Sequence, residues 1–427
     1  MPTTLTRRDF LNLSAALPAM LLARSDPARW LPRLAVFSPQ GMEPPGDTLV
    51  VIFQRGAMDG LNAVIPLGEA EYYRKRPTLA IPEPKAGDET SAIELDGFFG
   101  LHPALRPLKD IWDAGELAIV HACGSPDPTH SHFDAMDYME RGTPGEKSVN
   151  SGWLARHLQT AAWENGSPFR AVGIGTMLPF SLRGPVPALA LQSITNFHLG
   201  GRNRSAELLA FQQTLMKLYA PDATDLSEAA TLTFEATATL ESAIQGEYRP
   251  ANGAAYPQSP FGQAMQQVAQ LIKAEIGLEV AAVDIGGWDT HVNQGGAEGQ
   301  MAALLSDLAG GLAAFYTDLG EKIQRVTIVT MSEFGRRLEE NASGGTDHGH
   351  GNAMFLLGGG VNGGKVFADW PTLAPEALSG PGDLAITTDY RTVLAELLQR
   401  RLLNDNLDVI FPGYTDWKPL GVSKSIV

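Results

Sequence analysis

The sequence predicts an α/β domain: a mainly parallel central sheet, helices on both faces, and a helical insertion. Three observations predict it. Residues 48–53, 117–120, 278–283 and 326–331 are almost unbroken apolar runs, the pattern of strands covered on both sides. Residues 301–316 set Met301, Leu304, Leu305, Leu308, Leu312, Phe315 and Tyr316 at helical spacing. Runs alternating with such helices give parallel strands joined by helical crossovers. From about 202 to 275 the pattern is helical without strand signals, and reads as an insertion or cap over the sheet.

Composition narrows the function classes. Hydrophobic residues are 44% and charged residues 19% of the chain, enough apolar surface for a core and too much for wholesale disorder. The net charge of -16 argues against nucleic acid as a partner, because phosphate backbones are gripped by basic faces. Cys123 is the only cysteine, so no intramolecular disulfide forms, and cysteine-rich zinc and iron–sulfur sites are excluded. A metal must therefore rest on His, Asp and Glu.

The first residues predict export. Thr6-Arg7-Arg8-Asp9-Phe10-Leu11 precedes an apolar run over 11–23, too short for a stable membrane span. Paired arginines just before Phe-Leu are the mark of the twin-arginine route, which carries folded proteins. The expected partner is the twin-arginine translocase, and the expected location is periplasmic or secreted. Residues 1–25 are read as the signal, the proline-bearing 26–46 as a linker, and 47–427 as the domain. No later stretch reaches the ~18 apolar residues of a membrane helix.

The chemistry gathers at the ends of the predicted strands, where open α/β sheets bind ligands. Gln54-Arg55-Gly56-Ala57-Met58-Asp59-Gly60-Leu61-Asn62 follows the first run, and His121 with Thr129-His130-Ser131-His132-Phe133-Asp134 the second. Asp284-Ile285-Gly286-Gly287-Trp288-Asp289-Thr290-His291 follows the third. Ser332-Glu333-Phe334-Gly335-Arg336, then Thr346-Asp347-His348-Gly349-His350-Gly351, follow the fourth. Imidazoles and carboxylates converging on one edge suit a divalent cation such as Zn²⁺ or Mn²⁺. Plainer roles stand beside this one. Asp59-Gly60 is also a turn pair. Ser131 with Asp134 is also a capping box for a helix running to about Arg141. His102 is expected to cap or pack a helix start, and His157 and His198 are read as structural.

Taken together, these segments resemble a bacterial family of unknown activity, the domain of unknown function 1501 proteins, commonly exported by twin-arginine signals. The resemblance rests on six stretches in order, within residues 49–403. They are the first strand with Asp59-Gly60-Leu61-Asn62, Phe99-Gly100-Leu101-His102-Pro103, Ser131-His132-Phe133, Gly287-Trp288-Asp289-Thr290-His291, Ser332-Glu333-Phe334-Gly335-Arg336 and Asp347-His348-Gly349. That family in turn looks like a distant member of the alkaline phosphatase and sulfatase superfamily. The resemblance implies an alkaline phosphatase-like fold, with Thr387-Thr388-Asp389-Tyr390 and the helix after it closing the sheet.

By the same resemblance, the chain is expected to be an exported metal-dependent hydrolase of a phosphate or sulfate ester. Zn, Mn, Ca or Mg would sit on Asp59, Glu333, Asp284 or Asp289, His291 and His348 or His350, with Asp347-His348 as the substitute for the usual Asp-His pair. Ser131, or Thr129, would be the nucleophile, and Arg55 or Arg336 would steady the ester oxygens. The substrate would be a small-molecule or glycan ester. Two departures stand out: Glu333-Phe334 occupies the place of the usual Asp-His, and no Cys/Ser-x-Pro-x-Arg signature is present. The alternative is a non-catalytic binding scaffold of the cell envelope with a degenerate site. A third reading is a metal-free serine hydrolase built on Ser131 and a nearby histidine.

Overall fold

The computed structural model describes residues 43–194 and 247–426, with isolated positions between 232 and 243. The signal, most of the linker, His198 and much of the expected insertion lie outside the described residues.

In chain order the strands are β1 (Thr48–Arg55), β2 (Val64–Pro66), β3 (Ile93–Glu94), β4 (Phe99–Leu101), β5 (Leu117–Gly124), β6 (Ala171–Ile174) and β7 (Leu189–Leu191). They continue as β8 (Val280–Gly286), β9 (Val326–Met331), β10 (Arg336–Glu340), β11 (Thr346–His348), β12 (Asn352–Leu357), β13 (Lys365–Phe367) and β14 (Thr388–Asp389). Nine form one sheet in the order β13-β5-β12-β9-β1-β8-β6-β7, with β14 beside β5. Every pairing in it is parallel except those of β12, which runs antiparallel to both β5 and β9. The predicted fold class is therefore what the described residues form: α/β, with a mixed, mostly parallel sheet.

The apolar runs form strands because both faces are covered. Along β1, Val50 and Ile52 enter one core with Val268, Leu305, Leu308 and Phe315. Leu49, Val51 and Phe53 enter the other, with Trp153, Leu158, Val393 and Leu397. Alternation along one strand thus feeds two cores. The first is closed by helices Pro260–Lys273 and Gln300–Leu319, the second by Trp153–Thr160 and Tyr390–Arg400. Among the described residues, no helix is long and apolar enough to cross a membrane.

Topology sets up the site. The loops after β1, β5, β8 and β9 leave the carboxyl ends of parallel strands. Because β12 is reversed, the residues just before it return to that same edge. Hairpin β10–β11 fills this return and places Arg336 opposite His348.

Candidate metal centre

The loop after β1 is held close to the loop after β8. Gly56 has a φ of 115°, and a Cβ there would stand 2.7 Å from the Asp289 nitrogen, so only glycine fits. Its N–H donates to Glu333 Oε1 at 2.7 Å. After β9, Gly335 meets residue 351 so closely that a Cβ would strike the Gly351 carbonyl oxygen. Four segments thus meet in two backbone-to-backbone pairs, after β1 with after β8 and after β9 with before β12, and the Glu333 side chain ties one pair to the other.

Arg336 locks the arrangement from inside. Its guanidinium is fully buried and donates to the carbonyls of Gly56, Ala57, Trp288 and Thr346, and to Asp289 Oδ1 at 2.7 Å. These bonds make Arg336 a clamp on the loops and on Asp289, in place of the contact with an ester predicted for it. Burial pushes the Asp289 carboxyl up, but the hydrogen bond from Arg336 and the Arg336 charge, with the imidazoles nearby, outweigh it and hold it at about 2. Asp289 is ionised.

Three histidines face that ionised oxygen. His132 Nε2 is 3.4 Å from Asp289 Oδ1, while His291 Nε2 and His348 Nε2 are each 3.2 Å away. His291 Nε2 and His348 Nε2 are 2.9 Å apart. The ligating atoms of His132, Asp289 and His348 lie within 4.8 Å of one another. Atoms bound 2.0–2.1 Å from a tetrahedral ion stand about 3.4 Å apart, so these separations have the scale of a coordination shell. His132 Nε2 is itself buried with no hydrogen-bond partner among the described residues.

The outward nitrogens complete the pattern. His132 Nδ1 meets Glu333 Oε1 at 2.7 Å, His291 Nδ1 meets Asp347 Oδ1 at 3.2 Å, and His348 Nδ1 meets the His130 carbonyl at 2.9 Å. An acceptor on Nδ1 fixes the proton there and turns the Nε2 lone pair inward, as around metal-bound histidines. The hydrogen bond to Glu333 raises the His132 pKa, and burial lowers that of His348. Asn341 donates to Asp347 Oδ1 at 3.0 Å, which lowers the Asp347 pKa.

The sequence-predicted residues therefore separate. Asp289, His291 and His348 come together. Glu333 and Asp347 stand behind histidines, one layer out from the position predicted for them. Asp59 is elsewhere: its carboxylate is fully buried and accepts from Arg76 at 2.6 and 3.1 Å and from Gln294 at 2.7 Å, leaving no room for a cation. Asp284 pairs with Arg55 at 2.8 Å, and Arg55 also donates to Glu140 at 2.7 Å, so Arg55 too is neutralised. His350 Nε2 meets the Ser125 and Asp127 carbonyls at 3.0 and 3.1 Å and ties the loop after β5. Ser131 caps helix His132–Arg141, its Oγ accepting from the Asp134 N–H at 3.4 Å, and Thr129 Oγ1 accepts from the Ser131 N–H. His102 caps a short helix at Ala104, and His157 is buried against Asn404.

His132 was not among the predicted ligands. Its position just inside the helix start was readable, but its direction was not. The signal was its spacing from Met136 and Glu140, four and eight residues on, which puts all three on one helix face. Arg55 binds Glu140 and reaches Met136 Sδ at 3.4 Å, so that face lies against the end of β1.

The family described as "Protein of unknown function (DUF1501)" matches residues 47–402. No curated protein matches the sequence. Among solved structures, the chain is similar to the PsFucS1 sulfatase from Pseudoalteromonas sp., at 13% identity and a TM-score of 0.33 over 75% of this chain. It spans 64% of that sulfatase, less than two thirds of its length. It is also similar to the lipoteichoic acid synthase LtaP from Listeria monocytogenes, at 8% identity and a TM-score of 0.33, covering 88% of this chain and 75% of that one. A third is Ps i-CgsB, solved with k-i-k-neocarrahexaose, at 9% identity and a TM-score of 0.32, covering 76% and 68%.

Proposed function

We propose that this chain, which belongs to the DUF1501 family, is an exported hydrolase of a phosphate or sulfate ester built around one divalent ion on His132, Asp289, His291 and His348. One observation carries the reading. Three imidazoles turn Nε2 toward a single ionised carboxylate oxygen, and each gives its Nδ1 to an acceptor. Three nitrogens and one oxygen suit Zn²⁺ first and Mn²⁺ next. A bound ion of this kind polarises an ester oxygen and lowers the pKa of a hydroxyl beside it.

The chain's own groups divide the remaining work. Glu333, Asp347 and the His130 carbonyl hold the three rings in one tautomer. Arg336 holds Asp289. Ser131, at the helix start beside His132, is the proposed nucleophile, and its cap bond uses an Oγ lone pair and leaves the hydroxyl proton free to depart. The free N–H groups and positive end of that helix favour an anionic group there. Export by the twin-arginine route, read from Arg7 and Arg8, fits a centre filled before translocation.

One contact favours a second reading, a cell-envelope scaffold without turnover: Arg336 already neutralises the central Asp289 oxygen. Activity separates the two. The hydrolase reading expects aryl phosphate or aryl sulfate cleavage by the metal-loaded mature protein, lost on chelation, restored by Zn²⁺ or Mn²⁺, and lost in Ser131→Ala. Metal binding without cleavage of either ester class would favour the scaffold.

A further inference from the structure

The alternation of hairpin β10–β11 sends Arg336 and His348 to the central cluster and leaves Arg337 and Asp347 beside each other behind it. Arg337 Nη1 is 3.9 Å from Asp347 Oδ2, and Arg337 Nε is 3.6 Å from Asp383 Oδ1. Each carboxylate leads to a different inward histidine. Asp347 Oδ1 meets His291 Nδ1 directly at 3.2 Å. Asp383 Oδ2 meets His130 Nε2 at 3.1 Å, and the His130 carbonyl receives His348 Nδ1 at 2.9 Å. Arg337 and Asp383 are also paired through their backbones in an isolated antiparallel bridge. One guanidinium thus stands between the supports of two ligand rings.

The facing atoms of this pair are unusual. Arg337 Nε and Asp383 Oδ1 are both buried, and neither makes a hydrogen bond within the described residues. Buried polar atoms left this way carry a desolvation cost that shortening the 3.6 Å gap would recover. A donor and an acceptor a few tenths of an ångström short of bonding are poised to close when the rings in front of them are pulled into a fixed geometry.

We propose that Arg337 is a positioning residue that couples His291 to His348, through Asp347 on one side and Asp383 with His130 on the other. The inference rests on the metal-centre reading above. It gives Arg337 a role that touches neither ion nor ester: holding two rings in mutual register so that both Nε2 atoms face one point.

The test is calorimetric titration of Zn²⁺ and Mn²⁺ into the metal-free mature protein, for wild type, Arg337→Gln, Arg337→Lys and Asp383→Asn, with the thermal midpoint of each metal-free form. Arg337→Gln is expected to weaken metal binding by roughly 10–100-fold, the usual cost of losing an outer partner. Arg337→Lys, which keeps the charge but loses the fork, is expected to fall between Arg337→Gln and wild type. Asp383→Asn is expected to weaken binding as Arg337→Gln does, and it decides the matter if the arginine variants do not fold. Throughout, the metal-free midpoint is expected to stay near wild type. Binding equal to wild type would overturn the inference. So would weaker binding that only tracks a lowered metal-free midpoint, because that is general loosening. A wild-type protein that takes up neither ion would instead remove the metal centre itself.

Discussion

Asp59 and Asp289 both follow buried parallel strands, both contact an arginine, and both stood out in the sequence as metal ligands. They end in opposite environments. Asp59 is closed on every side: Arg76, Gln294 and the Asn62 N–H saturate its two oxygens. Asp289 is half-exposed, and the oxygen that accepts from its single arginine is the same one that faces three imidazole nitrogens. Around Asp59 charge and hydrogen bonds balance, which makes a structural knot between the loop after β1 and Arg76. Around Asp289 three imidazole nitrogens and one arginine converge on a single, half-exposed carboxylate oxygen. Convergence of imidazoles on a carboxylate is what a place for a divalent cation needs.

The largest expected effect tests the knot. Arg76→Ala leaves the Asp59 carboxylate buried and unpaired, so the folded state should lose about 3–5 kcal/mol in urea unfolding. A loss under ~1 kcal/mol would break the contrast, since exposed pairs behave that way. Glu333→Gln probes the other region. It keeps the shape behind His132 but removes the charge, and should weaken metal affinity by about 10–100-fold while global stability changes little.

A third prediction separates histidines of the fold from those of the centre. Burial lowers His157 from 6.5 to about 3 and His121 from 6.5 to about 4, so both are neutral in the fold. Each gains a proton on unfolding once pH is below 6.5. Their share of stability is therefore whole above that pH and is lost as pH falls toward 4 and then 3. The slope is roughly 1.4 kcal/mol per pH unit for each ring. Thermal midpoints measured from pH 7 to 4 should fall accordingly, and His157→Gln should flatten that fall. An unchanged slope in the variant would show that other groups carry it.

The smallest effect concerns Gln54, fully buried near the end of β1 with neither amide atom hydrogen-bonded among the described residues. Gln54→Met fills similar volume without an unsatisfied amide, so stability should hold or rise, within ~1 kcal/mol. A large loss would point to a buried water held by the amide.

Most of the sheet was legible. The apolar runs at 48–53 and 326–331 form β1 and β9, because strands covered on both faces leave an unmistakable trace. The helix starting after Ser131 was legible from its capping box. The site was legible only as a neighbourhood. Nothing in local spacing says that Arg76, rather than a metal, meets Asp59, or that Arg55 takes Asp284. Nor does it say that Glu333 and Asp347 stand behind rings while His132 turns inward. Those choices depend on loops hundreds of residues apart closing against one another, as Gly56 closes on Asp289.

The most direct measurement is the metal content of the mature protein purified without chelator, beside His348→Ala and Asp59→Asn. The account predicts a stoichiometric divalent ion in wild type, none in His348→Ala, and retention in whatever fraction of Asp59→Asn folds. An ion retained in His348→Ala and lost from folded Asp59→Asn would contradict it, and would put the centre at the end of β1 instead.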